Sequence, residues 1–226
     1  MNNMNNNLFL VDYPRKTKFA EAAPISVTYD YNKFVSCPEC GARVSGAHWE
    51  QPREVVLTSR KTPDFLYAYC DNAPFLLSEV ALETIRSASL TGIKHAEKIE
   101  ISRFQRNSKM EIPIPSYYHI ELQRSRITVD HPNSVISYGL HGTRTICPLC
   151  QQVPATYDLF RSVAFHMDAY EGYDIFQTYE LGDQVIVSRR FVELCAEKKL
   201  TNLHCTPAYK YGRWAAEYFL DGNENA

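Results

Sequence analysis

The chain has 226 residues, of which 45% are hydrophobic and 22% are charged, and its formal net charge is −2. This length and composition predict a globular protein with a substantial core, and the lack of a basic stripe or a long Lys/Arg run argues against a nucleic-acid partner. No segment approaches the roughly 20 apolar residues that a membrane-spanning helix needs, so a membrane partner is not expected either.

Residues 1–34 are predicted to be an N-terminal leader followed by edge strands. The polar run at residues 1–7 lacks the basic and apolar regions of a signal peptide, which predicts a cytoplasmic protein. The apolar segments at residues 8–12 and 25–28 are the candidate edge strands.

Beyond the leader, the chain contains an internal repeat at an offset of 110 residues. The motif Cys37-Pro-Glu-Cys40 falls on Cys147-Pro-Leu-Cys150. The same ungapped offset carries further residues onto identical ones: Asp64 onto Asp174, Tyr69 onto Tyr179, Ser78 onto Ser188, Glu83 onto Glu193, and Leu90-Thr91 onto Leu200-Thr201. This fixed register indicates a duplicated supersecondary unit, with two similar units of independent origin as the alternative.

Each copy of the unit is predicted to contain two strands, a helix and a further strand. The first two strands of each copy are rich in aromatic and branched residues. They are expected at residues 64–69 and 75–77 in the first copy and at 174–179 and 185–187 in the second. Ser78 and Ser188 then supply N-cap hydroxyls for helices that extend to about residues 88 and 198.

The inward faces and the ends of both helices can also be predicted. Helical spacing gives the inward faces as Ala81, Leu82 and Ile85 in the first helix and Phe191, Val192 and Cys195 in the second. Gly92 and Asn202 follow at matched positions, and both residue types readily adopt the left-handed conformation that closes a helix. The further strand is expected near Ile93 and Leu203.

Outside the repeat, the middle of the chain is predicted to be rich in β-structure. Strands are expected at residues 97–104, 117–123 and 126–130, with shorter ones at 54–58 and 163–165. No low-complexity linker separates the halves, so we predict one compact body.

The predicted fold class is α+β, with two strand–strand–helix–strand units related by an approximate twofold axis and joined by a pair of zinc knuckles. The expected divisions are the leader with its edge strands (1–34), the first repeat with a β-rich extension (35–143) and the second repeat (144–226).

The two Cys-Pro-x-Cys motifs have the spacing of zinc knuckles, in which both thiolates of one turn face the same tetrahedral ion. Each knuckle supplies two ligands, whereas a structural zinc ion needs four. Copies related by a twofold axis would bring Cys37, Cys40, Cys147 and Cys150 together. The sequence therefore predicts one structural Zn²⁺ per chain, with no open coordination position for catalysis.

Other interpretations of the cysteines stay open. Cys-Pro-x-Cys also occurs in thiol oxidoreductases, but there the first cysteine lies at a helix N-terminus, and residues 41–46 have no helical pattern. Two disulfides, or a site that has lost its metal, are further alternatives. Cys70, Cys195 and Cys205 are interpreted as small buried hydrophobic residues.

No catalytic residue is predicted. The chain lacks a Walker loop, a Gly-x-Gly-x-x-Gly fingerprint and a Gly-x-Ser-x-Gly elbow. Asp64 and Asp174 are matched carboxylates, which we interpret as satisfying local backbone N–H groups at the start of a strand rather than as acid–base catalysts.

On these residues, the chain resembles a bacterial family, the double-CXXCG motif proteins. The resemblance rests on the two knuckles, on Pro63-Asp64-Phe65 and on the block from Leu77-Ser78 to Leu90-Thr91-Gly92, and it covers most of the chain. Gln151 departs from the family pattern, which has glycine after the second knuckle.

The resemblance implies an immunity protein of a polymorphic toxin system, of the Myxococcus swarming-toxin type. Such a protein is expected to bind and block a cognate protein toxin in the cytoplasm and to have no enzymatic activity. Tyrosines and acidic residues are candidates for the toxin-binding face: Tyr117, Tyr118, Tyr170, Glu171, Tyr173 and Asp174. The alternative is a zinc-ribbon-like nucleic-acid-binding or thiol-redox protein.

Overall fold

The structure, a computed structural model, describes residues 7–12, 18–25, 29–30, 33–46, 48–68, 75–104, 113–138, 147–150 and 157–211. In this part of the chain there are two α-helices, α1 (Glu79–Ser87) and α2 (Arg189–Glu197). The strands are β1 (Leu8–Val11), β2 (Ala22–Pro24), β3 (Tyr29–Asp30), β4 (His48–Trp49), β5 (Glu54–Leu57), β6 (Phe65–Tyr67), β7 (Phe75–Ser78), β8 (Ile93–Lys98), β9 (Glu100–Phe104), β10 (Tyr117–Leu122), β11 (Arg124–Ser125), β12 (Val135–Tyr138), β13 (Tyr157–Ser162), β14 (Ile175–Thr178), β15 (Ile186–Ser188) and β16 (Cys205–Pro207). The fold class is α+β, as predicted.

Two larger sheets organise the molecule. One has the strand order β6-β7-β10-β8, and the other has the order β14-β15-β1-β16 with β11 added beside β14. In these two sheets, neighbouring strands are antiparallel except for β11, which runs parallel to β14. Smaller sheets are formed by β2-β5-β9, by β12-β13 and by β3-β4.

In the second sheet, β1 occupies the place that β10 has in the first. Tyr117 of β10 pairs with Ser78, and Leu8 of β1 pairs with Ser188, the residue that matches Ser78 in the repeat. The first four residues of both strands share one burial pattern: the second residue is half-buried and the other three are buried. Each strand–strand–helix segment is therefore completed by a strand from a distant part of the chain.

Both helices begin and end in the same way. The hydroxyl of Ser78 accepts from the N–H of Ala81 at 3.1 Å, and Ser188 accepts from Phe191 at 3.1 Å, which confirms the two N-caps. The C-cap residues are Ala88 and Lys198, and each is followed by a left-handed residue, Ser89 (φ 54°) or Lys199 (φ 55°). The predicted closing residues Gly92 and Asn202 also have positive φ, but they lie three residues further on, so their assignment as helix ends is wrong.

A pair of matched aspartate contacts ties the two halves together. Asp64 Oδ2 accepts from the N–H of Thr201 at 2.8 Å, and Asp174 Oδ2 accepts from the N–H of Thr91 at 3.0 Å. Each aspartate also accepts from the N-cap serine of its own helix, at 2.9 Å for Ser78 and 2.8 Å for Ser188. The carboxylates were expected to accept hydrogen bonds from local N–H groups, but the N–H groups that donate to them belong to the opposite half.

One apolar core is shared by both halves. Phe65 and Phe75 lie edge to face with ring centroids 5.3 Å apart, and Phe191 of α2 packs edge-on to Phe65 at 6.2 Å. The alternate residues of the strands point the other way, with Leu66 in a second core and Phe176 in a third. The two large sheets thus contribute one face each to the common core, which the α-helices complete.

Most predicted strands exist, with shifted ends. The expected strand at residues 97–104 is two strands, because Ile99 separates β8 from β9. The segment 126–130 is not a strand, and both it and 163–165 contribute only the isolated bridge between Val129 and Phe165. The strand expected near Leu203 begins at Cys205.

The predicted N-terminal edge strands need correction. The segment at residues 8–12 is a strand, but it lies between β15 and β16 rather than at an edge. The segment predicted at residues 25–28 is preceded by the observed strand β2, and residues 26–28 lie outside the described residues. Tyr69 and Cys70 also lie outside them. Within the described ranges, no helix is long and apolar enough to cross a membrane.

Candidate metal centre

The four predicted cysteine ligands lie together. The Sγ atoms of Cys37 and Cys147 are 3.8 Å apart, those of Cys40 and Cys150 are 3.6 Å apart, and all four lie within 4.8 Å of one another. A tetrahedral zinc ion with Zn–S bonds of about 2.3 Å places its sulfur atoms about 3.8 Å apart. The cluster therefore has the donor set and the spacing to hold one metal ion.

The first knuckle is a tight turn at the end of a short hairpin. The N–H of Gly41 donates to the carbonyl of Cys37 at 2.9 Å, and the N–H of Cys37 donates to the carbonyl of Ala42 at 2.8 Å. Gly41 has a φ of 72°, a conformation that glycine adopts without steric cost. The bridge between Ser36 and Arg43 closes the hairpin, so the chain reverses directly around the two thiols.

The second knuckle is formed by Cys147–Cys150, and the residues after it, including Gln151, lie outside the described residues. Burial opposes ionisation of the Cys147 thiol, but the backbone N–H groups of Cys150 and Leu149 and the neighbouring thiols outweigh it and lower the pKa of Cys147 to about 7. Thiolates are the species that bind metal, so this environment favours a ligand role.

The cluster is mostly enclosed. Cys37, Cys147 and Cys150 are buried and Cys40 is exposed. Val44 and Leu149 form the apolar wall of the cluster, with Tyr179 packed against it. Of the four thiols that would hold an ion, only that of Cys40 belongs to an exposed residue.

A buried arginine anchors the first knuckle to the second large sheet. Arg124 donates to the carbonyls of Thr178 (2.8 Å) and Gly182 (2.6 Å) and pairs with Asp183 at 2.8 Å. Asp183 also accepts from the N–H of Gly46, just beyond the first knuckle, at 2.9 Å. Burial lowers the pKa of Arg124, and the adjacent Asp183 carboxylate opposes that change. The sequence did not indicate this contact, because its members are scattered through the chain.

The other two described cysteines lie away from the cluster. Cys195 is buried on α2 in the shared core, as expected for a small hydrophobic residue. Cys205 is half-buried in β16, and burial raises the pKa of its thiol. Both environments favour the unreactive thiol form.

Several candidates for a toxin-binding face serve the interior instead. Tyr117 is fully buried and its hydroxyl donates to the carbonyl of Pro63. Tyr170 and Tyr173 pack on Phe176. Asp174 is also buried, whereas Glu171 is exposed, accepts from the hydroxyl of Ser125 and the N–H of Arg126, and stays a candidate.

A family model described as Immunity protein family (Imm11) matches residues 95–210. The matched segment contains the second knuckle, β14, β15 and α2, whereas the first knuckle lies before it. No curated protein matches the chain.

Proposed function

The chain belongs to the Immunity protein family (Imm11), and we propose that it binds a cognate polymorphic toxin and neutralises it. The family match over residues 95–210 carries this proposal. Four thiolate ligands would complete a tetrahedral shell around one metal ion, so the proposed metal site has no open coordination position for a substrate. We place the encounter with the toxin in the cytoplasm, where a reducing environment keeps such thiols available for metal.

We further propose that Cys37, Cys40, Cys147 and Cys150 bind one structural Zn²⁺ per chain. Zinc favours four thiolate ligands in tetrahedral geometry, and the short sulfur–sulfur distances agree with that geometry. The role assigned to the ion is to fasten the first knuckle to the second, so that the toxin meets a rigid surface.

Finally, we propose that residues 35–143 and 144–226 hold two copies of one duplicated unit, related by an approximate twofold axis through the cysteine cluster. The reciprocal contacts of Asp64 with Thr201 and of Asp174 with Thr91 support this origin. So does the common strand order of the two large sheets, in which residues 1–34 supply the strand that β10 supplies in the other sheet.

A co-expression experiment tests the immunity function. A candidate polymorphic toxin, taken from a neighbouring gene, is induced in cells that express either the chain or an unrelated immunity protein of similar size. The chain is expected to restore growth and to form a stoichiometric complex whose affinity changes little between low and moderate salt. Growth arrest despite a soluble, folded chain would show that this toxin is not its target.

Substrate turnover or steeply salt-dependent binding of DNA or RNA would favour the alternative, a zinc-ribbon-like or thiol-redox protein. The purified chain is therefore also assayed with oligonucleotides and with a disulfide substrate, and neither activity is expected.

A further inference from the structure

The two halves differ at one matched pair of positions on their helices. Arg190, the second residue of α2, donates to the carbonyl of Ala88 at the end of α1 at 2.7 Å and contacts Asp174 Oδ2 at 3.3 Å. The residue at the matching position of α1 is Val80, whose side chain is 59% exposed. Valine has no group to offer to Asp64 or to the carbonyl of Lys198, the counterparts of Asp174 and Ala88.

A groove lies at the position where the counterpart of Arg190 is missing. Its volume is about 500 Å³, within the range of ligand pockets. It runs between the two helices and is lined by Val80, Glu83, Thr84, Ser87, Ala88, Leu194 and Lys198. It therefore reaches as far as Ala88, whose carbonyl Arg190 contacts. The two ends of the groove are thus unequal: Arg190 contacts the carbonyl of Ala88 at one end, and no arginine of the described residues lies beside Val80 at the other.

The polar groups beside the open end favour a cation. Asp64 does not itself line the groove, but it accepts from Ser78, two residues before Val80, and from both the N–H and the hydroxyl of Thr201. In the described part of the chain it has no counterpart of the Arg190 contact. Asp64 is half-buried, whereas Asp174 beneath Arg190 is buried. The carbonyl groups at the end of α2 carry partial negative charge, and the ammonium group of Lys198 is paired with Glu197 at 2.8 Å.

We propose that this groove receives an arginine side chain of the protein partner, which repeats the contacts that Arg190 makes at the other end. A planar guanidinium can donate to a carboxylate and to a carbonyl at once, which an ammonium group does less well. Its methylene groups would lie against Val80 and Leu194. The identity of the partner as the toxin rests on the proposed function, whereas the groove itself does not.

The groove is tested with N-acetyl-arginine N-methylamide as the probe and two-dimensional NMR of the backbone amides. The N–H of Thr201 donates to Asp64 and is expected to show a saturable shift, with a Kd of about 1 mM for a contact of this size. The N–H of Thr91 is the internal control, because it donates to Asp174, which Arg190 already occupies. The matched citrulline amide, which is neutral, should leave both signals unchanged.

Two variants reverse this pattern. Val80→Arg supplies the missing side chain and is expected to abolish the response at Thr201. Arg190→Ala opens the other end and is expected to add a response at Thr91. An unresponsive Thr201 in the wild-type protein, an equal response to citrulline, or a response that persists in folded Val80→Arg would overturn the proposal.

A cell-protection assay then tests whether the toxin is the partner that supplies the arginine. Val80→Arg is expected to lose protection against the toxin, and Val80→Ala, which keeps the groove open, to retain it. Equal protection by both variants would show that the groove does not receive an arginine of the toxin. The same conclusion would follow if the wild-type protein formed a dimer that Val80→Arg dissociates, because a second copy of the chain would then supply the arginine. Failure of the wild-type protein to protect would overturn the immunity function instead, while the arginine amide titration still decides whether the groove binds guanidinium.

Discussion

At Gly92, the chain that leaves α1 passes so close to β14 that a side chain has no room. A Cβ atom at this position would lie 1.8 Å from the carbonyl oxygen of Ile175, and φ is 115°. Gly92→Ala is therefore expected to lower the free energy of unfolding by about 3 kcal/mol or more, because β14 must move away from the connection. Urea denaturation followed by circular dichroism measures the change.

Gly172→Ala is the matched control for this substitution. Gly172 also has a positive φ of 81°, but a Cβ there meets no atom within 4 Å. The Gly172→Ala substitution therefore measures only the loss of stability from placing a non-glycine residue in the left-handed conformation, about 1–2 kcal/mol. Equal losses in the two variants would contradict a steric role for Gly92.

His131 makes the stability depend on pH through a buried carboxylate. Its Nε2 lies 2.7 Å from Oε1 of Glu180, whose side chain is fully buried, and this close carboxylate raises the pKa of His131 above 6.5. The stabilisation is therefore complete below pH 6.5 and is lost as the pH rises through the raised pKa. His131→Gln is expected to cost about 1 kcal/mol near pH 6 and less above pH 8.

Urea denaturation of both proteins at the two pH values measures this difference. The control is His95→Gln, because His95 is exposed on β8 and its replacement should have little effect at either pH. A cost of His131→Gln that grows as the pH rises would show that the protonated histidine is not the stabilising form.

Among the secondary-structure elements, the helices could be predicted from sequence and the position of β1 could not. Ser78 and Ser188 accept from N–H groups three residues ahead, and the apolar spacing that follows is local, so both signals lie within one short segment. The pairing of β1 depends on β15 and β16, which lie at the opposite end of the chain, and its apolar residues fit an edge or a central strand equally well.

The central position of β1 predicts that the N-terminal segment is needed for folding. Leu8, Leu10 and Val11 are each only 1% exposed, and β1 hydrogen-bonds to a strand on both sides. Deletion of residues 1–12 removes three buried apolar side chains, a loss of about 5 kcal/mol or more, comparable to the whole stability of many domains. The truncated chain is expected to be insoluble or unfolded by circular dichroism.

Deletion of residues 1–6 alone is the control, since it leaves β1 intact and is expected to preserve the thermal midpoint. If the chain without residues 1–12 melted at the same temperature as the full chain, β1 would be dispensable and the second sheet would be complete without it.

At the scale of the whole molecule, the ungapped 110-residue register of the sequence made the cysteine cluster predictable. Cysteines 110 positions apart can meet if two equivalent units face each other, and the matched pairs Cys37–Cys147 and Cys40–Cys150 have sulfur atoms 3.8 Å and 3.6 Å apart. The departures from the repeat were harder to foresee. Val80 and Arg190 are both ordinary surface residues in sequence, and only the packing of the two helices turns their difference into a groove.

The four thiols link segments that are far apart in sequence, so metal binding should stabilise the molecule as a whole. Purified protein is expected to contain one zinc ion per chain by elemental analysis, and removal of the ion by a chelator should lower the thermal midpoint of one cooperative transition.

Cys37→Ser and Cys147→Ser should each abolish zinc binding, since each removes a ligand from a different knuckle. Cys195→Ser is the matched control, because Cys195 is buried in the shared core away from the cluster and its replacement should leave the zinc content unchanged. Two zinc ions per chain would mean that the knuckles bind metal separately, and a protein that is metal-free when purified with four reduced thiols would show that the knuckles are held together by packing and by the Arg124–Asp183 contact alone.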